Sequence, residues 1–150
     1  IDLELYRLAT AILASPALAE LATDEFVGER WEWLRKIEFA EISRILISVA
    51  AIVRNGLETA PRSSIELEYP VGILIRDLDR PKRCEALTFR ESCNKILHAV
   101  HVDPETKEVD DEELAPVLQP RVYLFGELGK KRWKVTLDIR KFVVAAVVLT

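Results

Sequence analysis

From Glu25 to Asn55 runs a helical pattern too long and too apolar to stand alone, and it restricts the chain to folds that surround it. Trp31, Leu34, Ile37, Phe39, Ile42, Ile45, Leu46, Val49, Ile52 and Val53 recur at helical spacings and cover well over half the circumference. Glu29, Glu32, Arg35, Lys36, Glu38, Glu41 and Arg44 hold a narrower wet strip along the first part. Past Ile45 that strip almost vanishes, so the second half is expected to be buried on most sides. Its β-branched residues would also suit a strand, but the length argues for helix. Asn55-Gly56 is the expected end, because either residue tolerates the left-handed conformation at a helix C-terminus.

The remaining segments supply its partners. Leu5, Leu8, Ile12 and Leu13 place a helix over Ile1–Ser15, which Ser15-Pro16 is expected to stop. A short helix through Leu21 follows, and Thr23-Asp24 offers a fresh N-cap. Glu58–Glu68 is polar and contains Pro61, so it reads as a loop. Tyr69–Asp79 is read as a short helix entered at Pro70, in preference to a buried strand weakened by Gly72. Arg80-Pro81-Lys82-Arg83 is a basic turn leading to a helix over Leu87–His98 with its N-cap near Thr88.

After His98 the period changes. Ala99–Asp103 alternates as a strand does, and Asp103-Pro104-Glu105-Thr106-Lys107 has turn chemistry. Glu108–Glu113 is acidic and expected to be solvated. Arg121–Gly126 and Arg132–Leu137 are the best strands, joined as a hairpin through a loop of several residues containing Gly129. Asp138 caps a final helix, Ile139–Leu149, although its valines suit a strand as well. The expected fold is therefore α+β, a bundle of three to five helices with a small antiparallel sheet containing the C-terminal hairpin.

At 150 residues the chain fits a single domain large enough to fold without a disulfide or a metal. Its formal net charge of −4 argues against nonspecific nucleic-acid binding by the whole surface and leaves a local basic patch open. Cys84 and Cys93 are too few for a secreted disulfide framework. No apolar run reaches membrane-spanning length, and no signal-peptide pattern opens the chain. A cytoplasmic protein without a cofactor, a metal or a membrane partner is the expectation.

Chemistry concentrates on Leu87–His98. At about 100° per residue, Arg90, Asn94, Leu97 and His98 share one quadrant, while Phe89, Cys93 and Ile96 lie on the adjoining apolar side. Asn94 and His98 are one turn apart and can address the same group. Two accounts fit them: a satisfied structural network bordering the core, or an acid/base site built on the one side chain that titrates near neutral pH. The string Phe89-Arg90-Glu91-Ser92-Cys93-Asn94-Lys95-Ile96-Leu97-His98 resembles the signature helix of the HEPN superfamily, helical-bundle proteins many of which are metal-independent ribonucleases. That helix carries an arginine, commonly followed by asparagine, and then a histidine further along. Asn94 and His98 match the family's asparagine and histidine, whereas Cys93 stands in place of its arginine. The resemblance implies a homodimer, and the missing cation implies a copy impaired in catalysis, because a thiol cannot stabilise developing phosphate charge. A non-catalytic module that binds RNA or a protein partner follows. The alternatives are a ribonuclease using His98 with Asn94 and Arg90 as phosphate contacts, and a structural domain without a ligand.

Other constellations are weaker. Cys84, Cys93, His98 and His101 lack the paired short spacings of zinc sites. Cys93 is better explained as a small buried hydrophobe than as a nucleophile. Lys130, Lys131, Arg132, Lys134, Arg140 and Lys141, with Trp133 and Tyr123 interleaved, fit single-stranded RNA bound by phosphate attraction and stacking. Ordinary solvation of a turn and a wet strand face, and protection of a sheet edge, is the stronger account of them. Asp110–Glu113 lacks calcium-loop spacing.

Overall fold

Four helices and five strands follow one another in the computed structural model, which describes residues 1–21, 25–59, 69–107 and 116–149. In chain order they are α1 (Asp2–Leu21), α2 (Glu25–Thr59), β1 (Pro70–Ile75), β2 (Cys84–Thr88), α3 (Phe89–Leu97), β3 (His101–Lys107), β4 (Val117–Leu128), β5 (Lys131–Asp138) and α4 (Ile139–Leu149). The fold is α+β, as the sequence pattern implies, with the hairpin β4–β5 near its C-terminus.

The sheet is antiparallel throughout, with strand order β2-β1-β5-β4-β3. β1 and β2 form one hairpin; α3 then carries the chain to the opposite edge, where β3 begins. β4 and β5 return inward until β5 pairs with β1. The register divides the strand residues into two faces. Leu74, Val135, Leu124 and Val102 form a row on one face, with Leu87, Leu137 and Val122 beside it. These residues join Leu5, Leu8 and Ile12 of α1, Ile42, Ile45, Leu46 and Val49 of α2, Phe89 and Ile96 of α3, and Phe142 of α4 in one core. On the other face Cys84, Ile75, Lys134, Phe125 and His101 make one row across all five strands. Ala86, Ile73, Thr136, Tyr123 and Asp103 make the next.

Several expectations require correction. Pro16 does not end the first helix, which continues to Leu21. Proline removes a single donor there, and the buried Ser15 hydroxyl accepts from the Leu118 amide at 2.9 Å, fastening α1 to β4. Asn55-Gly56 does not end α2, which reaches Thr59; a residue that tolerates a cap geometry does not impose it. The second half of α2 is less covered than its pattern implies, since Ile47 and Ile52 are both nearly half exposed. Pro70–Ile75 is a strand, not a helix. Gly72, which counted against a strand, is what lets β1 approach β5: a Cβ there would lie 2.2 Å from the Thr136 carbonyl oxygen. β2 escaped notice because its short stretch merges with the helix that follows. Asp103–Lys107 belongs to β3, with a register shift between Pro104 and Thr106 absorbing the irregularity. The β4–β5 loop is only Gly129-Lys130, with Gly129 at φ 63° in the first central position of a tight hairpin turn. Asp138 does cap α4, accepting from the Lys141 amide at 3.1 Å. The expected Thr23-Asp24 cap, most of the Glu58–Glu68 loop and the acidic Glu108–Glu113 run lie outside the described residues.

Candidate functional site

Thr88 sets the start of α3: its extended backbone places the hydroxyl to accept from the Glu91 amide at 3.3 Å, a Thr-x-x-Glu capping arrangement. The helix buries Phe89, Ser92, Cys93 and Ile96. Phe89 meets Phe142 of α4 with ring centroids 5.2 Å apart, and the Ser92 hydroxyl donates to the Phe89 carbonyl at 2.6 Å. Cys93 is 2% exposed, and burial pushes its thiol up to about 12. At neutral pH it is a protonated, enclosed thiol, neither cation nor nucleophile.

Arg90 is exposed, Asn94 half-buried and His98 exposed, so the polar stripe runs along an accessible side of the helix. His98 lies just beyond the last helical residue, with its backbone N–H donating to the Asn94 carbonyl at 3.1 Å. Among the described residues, none of these three side chains makes a hydrogen bond or ion pair. The structural network that would hold Asn94 and His98 against the core is thus absent from the described residues.

The basic hairpin is divided by the strand period. Lys130 occupies the turn, and Lys131 and Arg132 are exposed at the start of β5. Arg132 and Lys134 face the open side. The Lys134 Nζ lies 4.5 Å from the Tyr123 ring centre and 5.5 Å from that of Phe125. Trp133 points to the covered face, where it is 2% exposed and carries the Lys95 Nζ at 4.5 Å from its ring centre. Gly126 makes room for it, since a Cβ there would lie 2.1 Å from the indole. Tyr123 therefore belongs to the basic surface and Trp133 does not. Arg140 and Lys141 follow β5 on α4, at the other end of the sheet from Lys130.

Two contributors were missed in the sequence. Phe125 follows Tyr123 by two residues in a strand, which puts both on one face, and His101 joins them with its ring centre 5.9 Å from that of Phe125. The Tyr123 hydroxyl donates to Glu105 Oε1 at 2.5 Å, and Arg121 pairs with the same carboxylate at 3.5 Å. The hydrogen bond to Glu105 is the main cause that holds the Tyr123 hydroxyl above its ordinary pKa. The second contributor is the β1–β2 turn. Leu78 donates its backbone N–H to the Arg132 carbonyl at 2.9 Å, bringing the turn that carries Arg80, Lys82 and Arg83 beside Lys131 and Arg132. His101 pairs with Phe125 and Phe125 with Lys134, so the His98–Val100 link approaches the same end of the sheet.

Among the described residues, no group of three His, Cys, Asp or Glu side chains is placed to hold a metal ion. No described helix is long and apolar enough to cross a membrane. No family model, curated protein or solved structure matches this chain.

Proposed function

We propose that this chain is a non-catalytic, HEPN-like module that binds single-stranded RNA on the open face of its sheet and on the basic end of that face. The observation that carries the proposal is the convergence of Arg80, Arg83, Lys130, Lys131 and Arg132 at one end of a sheet whose open face bears Tyr123, Phe125 and Lys134. Cations capture the phosphates, and the rings offer flat surfaces to unpaired bases. The net charge of −4 keeps attraction local to this end. The HEPN relation rests on Phe89–His98. The buried thiol of Cys93, in place of the family's arginine, supports the non-catalytic form. A homodimer belongs to the same proposal, and the groove between α1 and α4, lined by Ala9, Ile12, Leu13, Ile139, Arg140 and Val143, offers it an apolar surface.

Fluorescence anisotropy with a labelled single-stranded RNA tests the binding. Neutralising three phosphates predicts a roughly ten- to twenty-fold loss of affinity between about 50 mM and about 200 mM salt. Lys130→Ala/Lys131→Ala should flatten that salt dependence, and Phe125→Ala should weaken binding by about 1–3 kcal/mol if a base stacks there. Absence of binding at both salt concentrations rejects the proposal. Metal-independent cleavage of the same RNA, abolished by His98→Ala, would replace it with the ribonuclease. Light scattering that finds only monomer at micromolar concentration removes the homodimer.

A further inference from the structure

Between the β1–β2 turn and the β4–β5 hairpin lies a cleft of about 290 Å³, lined by Arg76, Asp77, Arg80, Arg83, Cys84, Glu85 and Lys131. Four cations face two carboxylates, leaving the lining two positive charges in excess. The charges are not equivalent. Arg76 is committed to Glu85 and to Glu91, the latter at 3.4 Å. Asp77 turns inward on its own loop, its Oδ1 accepting from the Asp79 amide at 3.1 Å. The side chains of Arg80, Arg83 and Lys131 make no ion pair or side-chain hydrogen bond among the described residues. Their backbone is nevertheless held in place. Arg80 donates its N–H to the Asp77 carbonyl at 2.9 Å, Arg83 to that of Arg80 at 3.0 Å, and Leu78 to Arg132 across the cleft. Uncommitted cations on a fixed turn are the arrangement that recognises an anion at low ordering cost.

We infer that this cleft is a phosphate-monoester site, in which Arg80, Arg83 and Lys131 hold the terminal phosphate of an RNA strand or of a free nucleotide. A monoester carries about −1.5 to −2 charges at pH 7, which matches the excess of the lining, whereas an internal phosphodiester carries a single charge. Arginine's fork adds paired donors to phosphate oxygens. The inference deepens the RNA-binding proposal but does not stand or fall with it.

The test compares a short 5′-phosphorylated oligoribonucleotide, its 5′-hydroxyl twin and adenosine 5′-monophosphate, each titrated against the whole chain. The phosphorylated strand should bind about tenfold more tightly than its twin. Arg80→Ala/Arg83→Ala should remove the preference, the ratio of the two affinities falling from about tenfold to about one whatever the variant costs both strands alike. Lys131→Gln, with a circular dichroism spectrum matching the parent, should lose part of the same preference. Competition by adenosine monophosphate identifies a free nucleotide as a sufficient ligand; its failure to compete assigns the site to the strand terminus. Equal affinity for the phosphorylated and hydroxyl strands, together with no binding of the nucleotide, overturns the site and leaves the RNA proposal standing. Nucleotide binding without affinity for either strand keeps the site and removes the RNA proposal.

Discussion

The two faces of the five-stranded sheet are built from the same strands and differ by one residue of register. On the covered face Leu74, Val135, Leu137, Leu124 and Leu87 are fully buried beneath the helices. On the other, Ile73 is 50% exposed, and Tyr123, Phe125 and Lys134 retain partial access to solvent. The covered face is a packing problem, in which volume and shape decide stability. The open face is held by the backbone ladder and its neighbours in the sheet, leaving its side chains available for a ligand. A polar or aromatic side chain that contributes little to folding is free to contribute to binding.

Substitutions should separate the faces, and the largest effects belong to the covered one. Trp133→Ala should cost about 3–5 kcal/mol and Leu137→Ala about 2–5 kcal/mol, read as reduced denaturant midpoints. Gly126→Ala should cost about 1–3 kcal/mol, because its Cβ must displace an enclosed indole. On the open face, Ile73→Thr should stay within about 0.5 kcal/mol. A loss there comparable to that of Leu137→Ala would mean that the face is covered after all. The cysteines supply a chemical version of the contrast, since Cys84 is exposed on the open side and Cys93 is buried. A thiol reagent at pH 8 should therefore modify one cysteine in the native chain and both after denaturation. Rapid native modification of both would contradict the burial that raises the Cys93 thiol.

The smallest effect is at Tyr123. Its folded pKa is raised, chiefly by the hydrogen bond to Glu105. The associated stabilisation is complete below the ordinary tyrosine value of about 10 and is lost as pH rises through the higher folded value. Ultraviolet difference titration should show a late-ionising tyrosine component, and Glu105→Gln should return it toward the ordinary tyrosine value. The absence of a late component would break the Tyr123–Glu105 contact.

Much of the scaffold is written in local pattern. The α2 helix, the Thr88 and Asp138 caps and the β4–β5 hairpin each rest on spacing or capping chemistry within a few residues, and those signals were legible. The misassigned elements depend on distant partners. Gly72 reads as a weak point until the Thr136 carbonyl lies against it, and Pro16 reads as a stop until Ser15 receives the Leu118 amide. The candidate surface was legible in halves. Lys130–Lys134 and Tyr123 were visible as a basic and aromatic cluster, but strand parity was needed to send Trp133 inward. Arg80 and Arg83 are far from the hairpin in sequence, and only the pairing of β1 with β5 places them beside it.

By itself the sequence determined that the chain is a mixed α+β protein with a long apolar helix, a capped α3 and a C-terminal hairpin, because helical and strand periods are local properties of side-chain order. The tertiary structure alone decided which strand face is covered, that the Arg90–Asn94–His98 stripe is accessible, and that two separate turns bound one basic cleft. Those outcomes come from long-range strand register and helix docking, where contacts between residues far apart in the chain outweigh the preferences of either segment.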